Sequence, residues 1–366
     1  MIRLWDYIEG MKLEKDDILD AISDVLDSGK IILGDQVETF EKEFARYCGS
    51  EFGIGVANGT DAIFLSLKSL DIGEGDEVIT VSNTASPTVS AITATGAIPV
   101  LVDIDPNTYL MDIGLIEQSI TESTKAIVAV HLYGQMVDMT SLVPIANKNN
   151  LFLIEDCAQS HSSMHKEKKA GSFGDVNAFS FYPTKNLGTY GDGGMCLTKS
   201  KNLNEKIRRL RYYGMEESYY SLHQGYNSRL DEIHAAILRK KLSKLDLSIK
   251  KRRKIADIYQ SELKDTSLIL PETQSENFHT YHLYVVQSVH REKLIKFLKD
   301  REILVGVHYP YPIHNMPAFS SISKWTNLEI TEKIATRIIS LPMFPELSEN
   351  NQNKVIEAIK EFEKNN

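Results

Sequence analysis

Along the first half of the chain, short apolar runs alternate with stretches whose apolar residues recur at helical spacing. "FGIGVA" (52–57) leads into "DAIFLSLKSL", "DEVITVS" (76–82) leads into "SPTVSAITATG", and "IPVLVDI" (98–104) follows. "KAIVAVHLYG", a helical "TSLVPIANKNN" and "LFLIEDC" (151–157) continue the rhythm. Apolar runs separated by helices predict a mostly parallel sheet covered on both faces, hence an α/β fold. The rhythm changes after "NAFSFYPTK". There "LNEKIRRLRYYG" and the long "SRLDEIHAAILRKKLSKLDLSIKKRRKIADIYQSEL" read as helices, the second with Leu230, Ile233, Ile237 and Leu238 at helical intervals. Beyond Pro271 come "HTYHLYVVQS", a helix from about Glu292, "ILVGVHYPYPIH" and two closing helices, the pattern of a smaller α+β unit. The expected division is a large α/β domain with the N-terminal segment over 1–250 and a small C-terminal domain over 251–366.

Composition narrows the function. The chain has 366 residues, 42% of them hydrophobic and 25% charged, enough for a substantial core in two domains. A formal net charge of −9 argues against a general nucleic-acid or anionic-membrane binder, which needs a basic face. The one basic run, Lys250 to Lys254, lies in the long helical stretch and reads as a solvated helix face. Cys48, Cys157 and Cys196 are widely spaced without a CxxC pair, so neither a disulfide framework nor a metal cage is expected. The opening "MIRLWDYIEGMKLEKDD" lacks the basic head and apolar run of a signal peptide, and no apolar run approaches membrane-spanning length. A cytoplasmic protein is expected.

In open α/β sheets, ligands gather beyond the carboxyl ends of the strands. Three such places carry chemistry. "ANGTDAIF" puts Asn58, Gly59 and Thr60 between a strand and a helix, either as a phosphate cradle or as a plain helix cap. "LFLIEDCAQS" ends a buried strand on Asp156, with Gln159 behind it. An unpaired carboxylate there costs several kcal/mol. Asp156 therefore meets a cation in a cleft or caps the next segment, while Glu155 points to the opposite face. "FSFYPTKNLGTYGDGGM" (179–195) puts Ser180 and Lys185 just past another strand. Lysines are usually exposed, but one held on a constrained loop at a cleft loses solvent, and its pKa falls toward that of a usable amine. An anion cradle, a buried acid and a poised lysine together suit pyridoxal 5'-phosphate: the lysine forms a Schiff base, the acid protonates the ring nitrogen and the helix end grips the phosphate.

The ordered motifs "GTDA", "EDCAQS", "FSFYPTKNLG", "GDGG", "YNSRLDEIHAAIL", "HYPYPIH" and "SLPMFPEL" resemble the DegT-type PLP-dependent sugar-nucleotide aminotransferases over nearly the whole chain. The resemblance implies the aspartate aminotransferase type of fold (PLP fold type I) and a homodimer with active sites at the subunit interface. It implies that Lys185 is the Schiff-base lysine and proton shuttle, that Asp156 pairs with the pyridinium nitrogen and that Gln159 touches the ring hydroxyl. It further implies that Gly59, Thr60 and Ser180 hold the phosphate, and that Asn227 reaches the phosphate of the neighbouring subunit's cofactor. In "GVHYPYPIH", His308, Tyr309 and His314 either contact the nucleotide-linked sugar or belong to a Pro-rich turn of packed aromatics. Ala85 departs from the relatives that stack Phe or Trp on the ring.

The implied reaction is transamination of a nucleotide-linked keto sugar with glutamate as amino donor. Tyr182, where many C-4 enzymes have His, together with "NTA" at 83–85, resembles the group acting on dTDP-linked 3-keto-6-deoxyhexoses. Tyr182 then either seats the sugar or packs beneath the loop. The alternatives are a C-4 aminotransferase and a non-catalytic PLP-binding regulatory homologue. Related dehydratases replace the lysine with histidine, against Lys185 here, and a cofactor-free Schiff-base aldolase has no use for Asp156 or the phosphate loop.

Overall fold

The computed structural model describes residues 1–365. Seven strands, β1 (Phe52–Val56), β2 (Glu77–Val81), β3 (Ile98–Val102), β4 (Thr124–Val130), β5 (Phe152–Asp156), β6 (Val176–Ser180) and β7 (Gly194–Thr198), form the main sheet. They lie in the order β1-β7-β6-β5-β4-β2-β3, and the short strand Lys324–Trp325 extends the β3 edge. Neighbours from β3 through β6 run parallel, whereas β7 is antiparallel to both β1 and β6. The mostly parallel α/β sheet expected from the apolar runs is present, with one reversed strand.

Every residue of β2, β6 and β7 is buried, because helices cover both faces. Alternate side chains therefore enter different cores. On β5 and β6, Leu153 and Phe179 join Phe40, Phe44 and Phe181 on one face, while Ile154 and Ala178 join Ile54, Leu65 and Ile92 on the other.

The helix Leu245–Leu263 links this layer to a second core: Ile249 packs into the first, and Ile255, Tyr259 and Leu263 into the second. The antiparallel pair Tyr284–Gln287 and Ile338–Leu341 forms the floor of that second core, and the helices Arg291–Lys299 and Glu349–Lys364 help cover it. Ile2 also joins it, accepting from Leu304 N at 2.8 Å and donating to Glu302 O at 2.7 Å. The chain thus starts on the second unit and then crosses to the first.

One expectation fails here. The basic run is not a solvated face throughout: Lys250, Lys251 and Lys254 are exposed, but Arg252 is 3% exposed, and Arg253 lies over the Phe278 ring at 4.2 Å. Arg252 falls three residues from both Ile249 and Ile255, on the buried stripe of its helix. All three cysteines are buried and free. Among the described residues, no helix is long and apolar enough to cross a membrane.

Candidate active site

The carboxyl ends of β5 and β6 and the amino ends of two helices, Gly59–Ser69 and Ser86–Ala94, surround a cavity of about 240 Å³. Gly59, Thr60, Asp156, Gln159, Ser180, Tyr182 and Lys185 all line it. Segments more than a hundred residues apart in sequence converge there because parallel strands put their carboxyl ends on one side.

At one wall stands the helix Gly59–Ser69. Asn58 caps it, its Oδ1 accepting from Asp61 N at 2.9 Å. The N–H groups of Gly59 and Thr60 have no carbonyl one turn back, so cap and anion cradle coexist. The glycine is required by proximity: a Cβ at Gly59 would lie 2.6 Å from the Ser180 Cβ. Only a bare backbone brings this helix end against Ser180.

At the opposite end is Asp156, buried, with Oδ2 accepting from Thr88 Oγ1 at 2.8 Å and Oδ1 from Ala158 N at 3.1 Å. Thr84 Oγ1 in turn lies 2.8 Å from Thr88 Oγ1. Burial raises the Asp156 carboxyl above its usual range, against the opposing pull of Thr88, Ala158 and the Lys185 charge. Asp156 both caps the following segment and faces a cation.

Glu155 points the other way, as strand alternation demands. It is fully buried and accepts from His131 Nε2 at 2.9 Å and from the N–H groups of Gly171, Phe173 and Gly174 at 3.0, 2.7 and 2.9 Å. Burial alone would raise its pKa, but these donors outweigh it and hold it below the usual value. His131 Nδ1 accepts from Val137 N at 3.2 Å, so the ring is neutral with its proton on Nε2. Cys157 completes a close buried trio with these two, yet the Glu155 oxygens are already committed, and the group is structural.

Lys185 sits on a tight loop. Its N–H donates to Tyr182 O at 2.9 Å, Thr189 N donates to Phe181 O at 2.9 Å, and a Cβ at Gly188 would meet the carbonyl oxygens of Tyr182 and Pro183 at 2.7 Å. The side chain is half-buried, and loss of solvent lowers its pKa to about 8, with Asp156 opposing the shift. The cavity thus holds an anion cradle, a buried acid and a lysine close to its titration point.

Residues 12–360 match the model of the DegT/DnrJ/EryC1/StrS aminotransferase family. The chain belongs to this family. It is 48% identical over 365 residues to the dTDP-3-amino-3,4,6-trideoxy-alpha-D-glucose transaminase of Micromonospora megalomicea subsp. nigra, covering 98% of each chain. Among solved structures it is similar to S. venezuelae DesV in complex with a ketimine intermediate, with TM-score 0.96, 38% identity and coverage of 99% of this chain and 98% of that one. NtdA from Bacillus subtilis with bound cofactor PMP matches with TM-score 0.90 and 32% identity over 96% of this chain and 82% of that one. The family and fold implied by the motifs are those found.

Around this aminotransferase cavity the remaining expected residues divide. Gln159 bridges the two units: its Oε1 accepts from Tyr133 N at 2.8 Å, and its Nε2 donates to Tyr309 Oη at 2.9 Å. Tyr133 Oη donates to His308 O, so the 308–309 loop is tied over the site. His308 Nδ1 lies 2.8 Å from Ser340 Oγ, and burial, with the Lys185 charge, lowers its pKa. His314 does not line the cavity. Its ring nitrogens are taken by Ser82 Oγ at 2.7 Å and Glu332 Oε1 at 3.1 Å, which makes it a packing residue within this chain. Asn227 also lies outside the cavity, exposed and paired with Tyr212. Ala85 forms part of the wall without supplying a ring. Thr88, which holds Asp156, escaped sequence reasoning; a hydroxyl in the first turn of a helix opening at a strand end was its only signal.

Proposed function

We propose that this chain is a pyridoxal 5'-phosphate-dependent aminotransferase that transfers the amino group of glutamate to C-3 of a dTDP-linked 3-keto-6-deoxyhexose, acting in the cytoplasm as a homodimer. The observation that carries the reading is Lys185, its pKa lowered to about 8, facing buried Asp156 in a cavity that also holds the cradle of Gly59, Thr60 and Ser180. The residues fit the cofactor. Free N–H groups and the Ser180 hydroxyl suit a phosphate, and an acid kept from water beside a cation suits a ring nitrogen that must hold a proton.

When bound, the cofactor supplies an electron sink beside the reacting carbon. Lys185 Nζ, near its titration point at neutral pH, accepts the proton from the donor's α-carbon and returns it to the sugar carbon in the second half of the cycle. Asp156 holds a proton on the ring nitrogen, Thr88 keeps that carboxylate in place, and Gln159 orients the ring edge. Asn227, exposed in its own chain, reaches the partner's phosphate.

Tyr182 lines the cavity and is 51% exposed, which favours seating the sugar over packing beneath the loop. His308 and Tyr309 stand on the sugar side, and the name of the Micromonospora relative supports a dTDP-linked 3-amino product.

The test offers wild type and Lys185→Ala the 3-keto and 4-keto isomers of dTDP-6-deoxyhexose with glutamate, locating the new nitrogen by NMR. Nitrogen at C-3, with turnover lost in the variant, is expected. Nitrogen at C-4, or turnover by Lys185→Ala, overturns the regiochemistry or the lysine assignment respectively.

A further inference from the structure

Lys185 is the one residue shared by the cavity described above and a second, of about 100 Å³, on its other side. This second cavity is walled by the N-terminal segment from Trp5 to Glu14, by Lys241 to Arg252 and by Pro345 and Glu346. On the measure by which a water needs about 10–15 Å³, it accommodates several groups of that size, enough for the carboxylate arm of an amino acid.

Its charges are unevenly paired. Each acid in the wall has its own cation: Asp6 with Arg3 at 3.4 Å, Glu14 with Lys244 at 3.8 Å and Glu346 with Lys251 at 3.7 Å. Arg252, 3% exposed, has no carboxylate partner. Its Nη1 is pinned by the carbonyls of Tyr281, His282 and Met343 at 3.2, 3.3 and 3.1 Å, while its buried Nε donates to nothing. The Nε and Nη2 donors therefore remain together along one edge, the fork that takes a carboxylate through two parallel hydrogen bonds. A buried guanidinium left half-bonded is costly unless something meets it.

We propose that Arg252 binds a carboxylate of the amino donor, whose amine then lies toward Lys185. This rests on the aminotransferase reading and adds the element that selects an amino acid as donor. The three carbonyls fix the guanidinium plane, and the free edge makes the contact.

Glutarate, a dicarboxylate without an amine, is titrated into the holoprotein by calorimetry, and the two half-reactions are timed separately. In Arg252→Gln, glutarate affinity and kcat/KM for the glutamate half-reaction should each fall about 10- to 100-fold, the loss expected for charged hydrogen bonds. The keto-sugar half-reaction should stay within about threefold, and Arg252→Lys should recover part of the donor loss. Equal loss in both half-reactions, or unchanged glutarate affinity, overturns the proposal.

If the variants do not fold, phenylglyoxal labelling of wild type decides, read by mass spectrometry. Protection of Arg252 by glutarate but not by its neutral diamide supports the proposal, and equal labelling in the two refutes it. Inactivity of wild type toward every keto sugar would sink the aminotransferase reading alone, since glutarate binding reports on Arg252 regardless.

Discussion

Glu155 and Asp156 are neighbours on one strand, equally sealed from water, yet the two faces of the sheet treat them in opposite ways. Glu155 receives four hydrogen bonds, and its pKa is pushed below the ordinary carboxylate value. Asp156 receives two, and burial wins, so its pKa is pushed up. A carboxylate saturated by backbone donors has no capacity left for a ligand and serves to hold the turn at 171–174. A carboxylate left under-bonded beside a cavity is in a higher-energy state that only a cationic partner relieves. Counting donors therefore separates the structural acid from the functional one, where burial alone cannot.

Breaking each side in turn tests the distinction. Asp156→Asn should lower transamination at least about a hundredfold, the scale of losing one preorganised charge in a water-excluded site. It should also stabilise the cofactor-free protein. Because the folded pKa of Asp156 is raised, the unfolded chain releases this proton first, and stability falls as pH rises from the ordinary value to the raised one. Asparagine removes that loss, so a destabilised variant in urea titrations near neutral pH would contradict the assignment.

Glu155→Gln should act in the reverse sense, costing about 3 kcal/mol because N–H donors are left facing an amide. Its stabilising effect is present above the ordinary carboxylate pKa and vanishes as pH falls through the lower folded value, so the gap between wild type and variant should close in acid. Smaller still is Gly59→Ala. Its Cβ would crowd Ser180 at 2.6 Å, and a cost of about 1–3 kcal/mol should appear as at least a tenfold weaker hold on the cofactor, measured by dialysis.

Much of this was legible in sequence because the large domain is built from local rules. Apolar runs at strand period and helices at 3.6 spacing place Asp156, Ser180 and Gly59 at element ends, and element ends converge in a parallel sheet. What failed were residues whose role depends on distant chain. His314 stands in a motif beside His308, but Ser82 and Glu332, from separate elements, take both its nitrogens. Arg252 looked like one charge among five, although its three-residue spacing from Ile249 and Ile255 already put it on the buried stripe. Thr88 shares no motif with Asp156, and only the approach of one helix to β5 brings them to 2.8 Å.

The smallest expected effect is on the titration of Lys185. In the cofactor-free protein its amine should titrate near pH 8, readable by NMR after reductive methylation with labelled formaldehyde. Loss of solvent lowers this value, while the negative charge of Asp156 stabilises the protonated amine and opposes the shift. Asp156→Asn removes only the opposing influence, so the midpoint must move further down. Glu155→Gln, on the far face of the sheet and with its charge absorbed by its own donors, should leave it in place. The same logic sets the sign for stability: a lysine with a lowered folded pKa is protonated more readily in the unfolded chain, so wild type should gain stability as pH rises from about 8 toward the ordinary lysine value. A midpoint that rose in Asp156→Asn, or moved equally in both variants, would mean that Asp156 does not face Lys185 and that the two carboxylates are not divided between structure and chemistry.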